Sequence, residues 1–411
     1  MDVTPEVLTP FQIGGLTDTS SLLPILIIGF IVSFLLAFSV GANDAANSFG
    51  TSVGAKVLTL RQALILATIL EMLGIVLIGY KVSDTMRRDV FDTVIYQGDE
   101  KLLMLGCLSA LFASSLWIIL ATLLALPIST SHSVIGATIG FTTVAKGFSS
   151  IQWSNLMTIV ASWIASPILS GIISTATFFF ILKCVVQTDE PAWNGLLFLP
   201  LFYFLTLFTN IFPVLLTGSS IIRFRQFPVW LAFIAAVCLA ISGALFVWIF
   251  FVPRLKFAIQ NKVITGRENR RRPNSPVQNT AADLTTSTSD FNATTSSGGS
   301  LTDDEPEVNE LFSPLQVLTA IFGAFAHGGN DASNAVSPLV TLWVIYRTGS
   351  VNDHVQSPLF LFVFGGVGIC VGFWVYGQKV ITTLGERLTK ISAVKGFSIE
   401  IGSATTVLAA S

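Results

Sequence analysis

The sequence predicts an all-α protein that crosses a membrane many times, and three observations carry this prediction: the composition, the long uncharged runs and a repeated motif. Of the 411 residues, 52% are hydrophobic and 11% are charged, and the mean hydropathy is +0.74. A soluble domain carries about 25% charged residues. So few charges cannot give the chain a water-facing surface, which excludes a soluble globular protein. The net charge of -2 gives no basic surface for nucleic acid.

Uncharged or nearly uncharged runs that approach the roughly 20 residues needed to cross a bilayer recur along the chain. Seven spans are predicted before a polar middle segment, at 22–43, 63–82, 102–125, 132–145, 155–182, 195–216 and 228–252. Three follow it, at 312–326, 332–346 and 357–378, and another apolar stretch begins at Phe397. The chain therefore divides into a first membrane block (1–252), a loop (253–311) and a second membrane block (312–411).

The loop at 253–311 begins with a basic cluster and continues as a tract rich in Ser and Thr, which has too little apolar surface to fold. The basic residues are Arg254, Lys256, Lys262, Arg267, Arg270, Arg271 and Arg272. Because basic residues beside a span stay on the cytoplasmic side, the loop is predicted to be cytoplasmic and disordered. Seven spans before it would leave the N-terminus outside the cell.

One motif occurs twice, as "FSVGANDAANS" at 38–48 and "FAHGGNDASNA" at 325–335. Phe, Gly, Asn, Asp, Ala and Asn recur at a constant offset of 287 residues. A weaker match joins "GIVLIGYKV" at 74–82 to "GFWVYGQKV" at 372–380. With seven spans between the copies, equivalent helices enter the membrane from opposite sides. The sequence thus predicts inverted-topology repeats with broken or re-entrant helices, an architecture of secondary transporters.

Each copy of the motif places a carboxylate at membrane depth, Asp44 and Asp331, where insertion costs at least ~2.5–3.5 kcal/mol. Glycines precede both, and a helix that unwinds there exposes backbone carbonyls. These glycines are Gly41, Gly328 and Gly329. With Asn47 and Asn334 one turn further on, the motifs predict hard oxygen ligands for a small cation such as sodium. The alternatives are ordinary helix caps and, for the asparagines, hydrogen bonds between helices.

A second polar cluster lies in "LALPISTSHSVIGATIG" at 124–140, where Pro127 is predicted to end a helix. The residues after it are small donors, Ser129, Thr130, Ser131, His132 and Ser133. Such a run predicts a re-entrant tip whose hydroxyls and helix N-terminal amides bind a tetrahedral oxyanion. The alternative is a polar turn without a ligand. His132 is interpreted as a packing residue, and His327, which replaces Val40 of the first motif, receives no role.

Two further carboxylates, Glu71 and Glu400, lie at membrane depth without being equivalent in the repeat. We expect both to act in coupling-ion binding or gating, because an intramembrane carboxylate is costly. Glu400 could instead lie at the membrane interface, since Lys395 is close in sequence.

The strings "GANDAANSFGTSVG", "HGGNDASNAVSP" and "LPISTSHSVIGATIGF" resemble signatures of the inorganic phosphate transporter (PiT) family, most closely its sodium-coupled animal members. The resemblance covers most of 30–255 and 311–411. It implies sodium–phosphate symport through an inverted-repeat fold in the plasma membrane, usually as a homodimer, with sodium as co-substrate and no cofactor. On matching positions, it implies phosphate or sodium ligands at Asn43, Asp44, Asn330, Asp331, Ser129, Thr130 and Ser131. It also implies that transport needs Glu71.

Several other functions are alternatives to sodium–phosphate symport. A sulfate or other oxyanion transporter on the same scaffold is the closest rival, and proton coupling is an alternative to sodium. A membrane-embedded phosphatase would need phosphate-clamping Arg or Lys, and none occurs between Leu102 and Ala145. A receptor or scaffold that signals through the Ser/Thr-rich loop would have no need for duplicated Asn-Asp motifs.

The repeat leads to one more expectation. Aligning "ATTVLAAS" at 404–411 with "SLWIILAT" at 115–122 puts Ser411 opposite Thr122, so a second polar tip would follow a few residues later. On this alignment we expect a truncated second repeat, and a chain without the second tip to be inactive in transport.

Overall fold

The protein is a bundle of α-helices. The computed structural model describes residues 21–89, 93–217, 228–257, 306–351, 357–383 and 391–410, and these ranges contain no β-strand. Eight helices within them are long and apolar enough to cross a membrane. The prediction of an all-α protein with many spans is confirmed. The N-terminal residues 1–20 and most of the predicted loop, 258–305, lie outside the described residues.

The described helices fall into the two blocks of the chain. In the first block they are α1 (Leu23–Gly54), α2 (Leu60–Asp89), α3 (Glu100–Leu123), α4 (Thr130–Lys146), α5 (Trp153–Ile181), α6 (Pro191–Thr217) and α7 (Val229–Phe246). In the second they are α8 (Pro306–Thr348), α9 (Leu359–Gly372), α10 (Gln378–Thr382) and α11 (Ala393–Ala410). Short π-helical turns continue α5, α7 and α9, at Leu182–Val186, Val247–Phe251 and Phe373–Gly377.

Both repeated motifs lie inside unbroken helices. α8 runs for 43 residues through the second motif, so the prediction of separate spans at 312–326 and 332–346 was wrong. α1 likewise runs through the first motif. A Cβ added at Gly41 would lie 2.0 Å from the carbonyl oxygen of Ile369, and one at Gly328 would lie 2.2 Å from that of Glu71. The predicted unwinding at Gly41, Gly328 and Gly329 was therefore wrong: Gly41 and Gly328 let helices cross in backbone contact.

The two close crossings use equivalent residues of the two copies. A Cβ at Gly74 would meet the carbonyl oxygen of Phe325 at 1.9 Å, and one at Gly372 would meet that of Phe38 at 2.1 Å. Phe38 and Phe325 are equivalent in the first match, and Gly74 and Gly372 are equivalent in the second. The crossing of α1 with α9 is thus equivalent in the repeat to the crossing of α8 with α2. That the two copies run in opposite directions across a membrane stays a prediction.

α4 is shorter than the other helices that were predicted to span, once their π-helical continuations are included. Its 17 residues correspond to about 25 Å at 1.5 Å per residue, against a hydrocarbon core of about 30 Å. Of the eight candidate spans in the described residues, six precede residue 258, and α4 is not among them. The number of spans in the first block therefore stays a prediction. The orientation that rested on seven spans stays a prediction.

The predicted loop was also too long at both ends. Residues 252–257 continue as helix after α7, and α8 begins at Pro306. The start of α8 is held by an apolar core, in which Val308 and Leu311 are buried. Phe312 of α8 packs there against Phe202 of α6 and Phe397 of α11. A larger core joins α1, α2, α3, α8 and α9.

Candidate functional site

A cavity of about 590 Å³ opens where α1, α8 and the N-terminus of α4 meet. It is lined by Asp44, Asn47, Pro127, Ile128, Ser129, Thr130, Ser131, His327, Asn330, Asp331 and Asn334. All of these except Pro127, Ile128 and His327 are residues that the sequence analysis proposed for a site. Both copies of the repeated motif and the polar tip therefore contribute side chains to one space.

Asp44 is held at the edge of this cavity by two hydrogen bonds. The Thr130 hydroxyl donates to Asp44 Oδ2 at 2.7 Å, and the Asn47 amide donates to Asp44 Oδ1 at 3.1 Å. The Asp44 residue is only 5% exposed. Because a carboxylate has about four acceptor positions, both oxygens keep capacity for a cation or a further donor. Asp331 of the second motif lines the same cavity and is also buried.

The polar tip is a tight turn between α3 and α4. α3 ends at Leu123, four residues before Pro127, and Ala125 in the turn has a φ of 55°. Ser129 caps α4 by accepting a hydrogen bond from the backbone N–H of His132 at 3.3 Å. The first residues of α4 line the cavity, so the free N–H groups and positive dipole end of that helix lie beside it. Such a helix start favours an anion.

Asn43 differs from its repeat equivalent Asn330. Its amide donates to Thr122 Oγ1 at 3.0 Å and to the Leu126 carbonyl at 2.9 Å, and its oxygen accepts from the Ile128 N–H at 2.9 Å. Asn43 is fully buried and is not among the lining residues. The structure thus gives Asn43 a bonded position behind the tip, whereas Asn330 lies exposed in the cavity.

The second motif holds the tip from the other side. The Asn334 amide on α8 donates to the Ser131 hydroxyl at 2.9 Å. Together with the bond from Thr130 to Asp44, this contact fastens the start of α4 to both motif helices. The bond between helices expected as an alternative for the asparagines is present for Asn334, whereas Asn47 bonds Asp44 on its own helix. Both asparagines line the cavity.

Glu71 and Glu400 lie inside the bundle but do not line the cavity. Glu71 is fully buried. Its Oε1 accepts from the Ser48 hydroxyl at 3.3 Å, and its Oε2 has no hydrogen-bond partner among the residues that the structure describes. Glu400 accepts hydrogen bonds from the hydroxyls of Thr51 and Thr319. Glu400 is therefore bonded to α1 and α8, two helices that also carry the motifs.

The two histidines of the motifs have different surroundings. His327 lines the cavity, a position that the sequence analysis left without a role because the first motif has Val40 there. The His132 ring is exposed and lies against Trp163, with 3.9 Å between ring centroids. This contact agrees with the interpretation of His132 as a packing residue. Within the described ranges, no group of three or more His, Cys, Asp and Glu residues comes together in an arrangement that could hold a metal.

A bundle of apolar helices around a polar cavity with buried carboxylates defines a polytopic membrane protein of the transporter class. A sequence model of the Phosphate transporter family matches residues 40–411. The chain belongs to the phosphate transporter family.

Several relatives share most of the chain. "Sodium-dependent phosphate transporter 1-A" of Danio rerio is 35% identical over 97% of this chain and 87% of its own length. "Sodium-dependent phosphate transporter 1" of Homo sapiens is 32% identical over 94% of this chain and 87% of its own. A solved structure titled "The sodium-dependent phosphate transporter" superposes with a TM-score of 0.74 at 34% identity, over 94% of this chain and 84% of that one. These matches are to transporters, and they do not favour the enzyme or receptor alternatives.

Proposed function

We propose that this protein is a secondary active transporter that carries inorganic phosphate across the plasma membrane together with sodium. The observation that carries the proposal is the shared cavity: Thr130 and Ser131 at the start of α4 contact Asp44 of one motif and Asn334 of the other. Donors suited to an anion and oxygens suited to a cation therefore line one space. The relatives named as sodium-dependent phosphate transporters support the choice of both ions.

Phosphate is proposed to bind at the start of α4. Ser129, Thr130 and Ser131 offer hydroxyl groups, the helix offers N–H groups and Asn330 offers an amide. Among the described residues that line the cavity there is no Lys or Arg. Neutral donors hold an oxyanion without the strong attraction of a fixed cation, which suits a site that must release its ligand in every cycle.

Sodium is proposed to bind at Asp44 and Asp331, with Asn47 and Asn334 as further oxygen ligands. A phosphate anion that enters a cavity with two carboxylates is repelled by them. Two like charges 4 Å apart repel by about 4 kcal/mol at an effective dielectric constant of about 20. Each sodium ion that neutralises a carboxylate removes a cost of this order. Phosphate binding thereby depends on sodium, which is the physical basis of coupled transport.

The other predicted site residues are proposed to act around the cavity. Asn43 positions the tip through its three bonds. Glu71 and Glu400 serve coupling or gating at membrane depth: Glu400 joins both motif helices through hydroxyl groups, and Glu71 joins α2 to α1 through Ser48. The homodimer, the cytoplasmic loop at 253–311 and the extracellular N-terminus belong to this proposal too.

Uptake of labelled phosphate by proteoliposomes tests the function. A protein whose second repeat carries its own polar tip is expected to accumulate phosphate when the outer buffer contains sodium and to fail when choline replaces it. The 411-residue chain is measured beside it, because one tip alone is expected not to support uptake. Excess unlabelled phosphate should abolish the uptake of label, whereas excess sulfate should leave the uptake unchanged. Equal uptake in both buffers would contradict sodium coupling, and equal competition by sulfate would contradict the choice of anion.

A further inference from the structure

A second cavity, about 830 Å³ in volume, lies on another side of the bundle between α6 and the end of α7. Its walls are apolar and aromatic side chains, and Lys256 is the charged residue among them. Its lining includes Trp193, Leu197 and Phe204 of α6, Leu245 of α7, Trp248 of the π-helical turn, and Lys256. The groove is thus long and apolar, with a cation in its lining.

The cation lies where the apolar part of α7 ends. The run of apolar residues stops at Val252 and is followed by Pro253, Arg254 and Lys256. Side chains of this kind mark the boundary between hydrocarbon and headgroups, because charge is costly inside the bilayer. The Trp193 ring lies at the same end, with Lys256 Nζ 4.4 Å from its centroid. Tryptophan is enriched at that boundary.

The charge of Lys256 is open to an outside partner. In the described part of the chain Lys256 forms no ion pair, although Asp189 and Glu190 lie just before α6. The neighbouring Arg254 donates to the Phe250 carbonyl one turn earlier at 2.8 Å, so its guanidinium is engaged by the helix backbone. Lys256 is partly buried against the indole. Among the described residues, no carboxylate therefore neutralises this ammonium group.

We propose that this groove binds an anionic phospholipid. One acyl chain occupies the apolar walls formed by α6 and α7, and the headgroup phosphate lies against Lys256. The shape and charge of the groove favour this ligand. Its apolar walls suit a hydrocarbon chain, and its cation at the membrane boundary suits an anionic headgroup. In a zwitterionic lipid the headgroup's own cation offsets the phosphate charge and weakens its attraction to Lys256, and a free phosphate ion would leave the apolar walls empty. The site is separate from the cavity between the repeated motifs.

Native mass spectrometry of the full chain released from lipid nanodiscs tests the site, with phosphatidylserine and phosphatidylcholine as probes in equal amounts. The unmodified protein is expected to retain phosphatidylserine in preference. Lys256→Gln should reduce the retained phosphatidylserine about fivefold, the equivalent of the ~1 kcal/mol that one basic residue contributes. Lys256→Arg should keep the retention. Lys101→Gln, which removes an exposed lysine at the start of α3, is the matched control and should leave it unchanged.

A groove-filling variant tests the acyl-chain part. Ala244→Trp places a large side chain in the wall of the groove, so retention of phosphatidylserine should be lost in protein that still elutes as a single species. If that variant does not fold, the comparison of Lys256→Gln with Lys256→Arg still tests whether an anionic headgroup binds at Lys256. Equal retention of the two lipids, or an unchanged signal in Lys256→Gln, would overturn the proposal. A lipid-free dimer that dissociates in Ala244→Trp would also overturn the proposal, because the groove would then be occupied by a second copy of the chain.

Discussion

The Thr130 hydroxyl at the start of α4 donates a hydrogen bond of 2.7 Å to the Asp44 carboxylate on α1, 86 positions earlier in the chain. This bond joins the polar tip, where an anion is proposed to bind, to a carboxylate proposed for sodium. A change at either end is therefore expected to alter the affinity for both ions.

Removing the Thr130 hydroxyl tests this link. Thr130→Val keeps the shape of the side chain but deletes the donor to Asp44. A hydrogen bond to a charged group is worth about 1.5–3 kcal/mol, so the sodium concentration for half-maximal uptake should rise by about tenfold or more. Thr138→Val on the same helix removes a hydroxyl that bonds the Val134 carbonyl of its own helix and should behave like the unmodified protein. An unchanged sodium requirement in Thr130→Val would show that the hydrogen bond from the tip to Asp44 does not contribute to sodium binding.

Neutralising the cavity carboxylates tests the sodium ligands. Asp44→Asn or Asp331→Asn should abolish sodium-coupled uptake while the protein still reaches the cell surface. The reason is that asparagine keeps the size of the side chain but removes the charge that attracts the cation, an interaction of about 4 kcal/mol at 4 Å and a dielectric constant of about 20. Uptake and surface biotinylation in the same cells measure the two quantities. Near-normal sodium dependence in both variants would rule out this pair of ligands.

The two asparagines of the repeat should differ when each is replaced by alanine. Asn43→Ala leaves the Ile128 N–H and the Leu126 carbonyl without their partner, at a cost of about 1–3 kcal/mol for each group left unsatisfied. It should lower the thermal unfolding temperature of the purified protein. Asn330→Ala should leave that temperature unchanged and raise the KM for phosphate, because Asn330 lies exposed in the cavity. The same loss of stability in both variants would contradict the distinction.

The helix crossings give a prediction about stability. In Gly74→Ala or Gly372→Ala the new methyl group would lie 1.9 or 2.1 Å from a carbonyl oxygen of the crossing helix. The helices must separate, so the yield of folded protein should fall sharply, beyond the ~1–3 kcal/mol of ordinary overpacking. Gly171→Ala in α5 is the control, since nothing lies within 4 Å of a Cβ there. Normal yield and unfolding temperature in both crossing variants would contradict this packing.

The sequence predicted the lining of the cavity better than the path of the helices. Asp44, Asn47 and the serines of the tip were found because a polar run in an apolar sequence is a local signal. The role of Asn43 was not visible, since its partners lie about 80 positions away and two of them are backbone groups. The helices were predicted to break at Gly328 because glycine is a weak helix former, at about 1 kcal/mol relative to alanine. Contact with Glu71 across the crossing outweighs that cost.

Sodium and phosphate are proposed to bind in one cavity and to stabilise each other there. Equilibrium binding of labelled phosphate to the purified chain, measured over a range of sodium concentrations, tests this coupling. Because coupling between two ligands is reciprocal, phosphate affinity should rise with sodium, and sodium affinity should rise with phosphate by the same factor. Asp331→Asn should remove both effects together. Phosphate binding of equal strength in sodium and in choline would contradict the account.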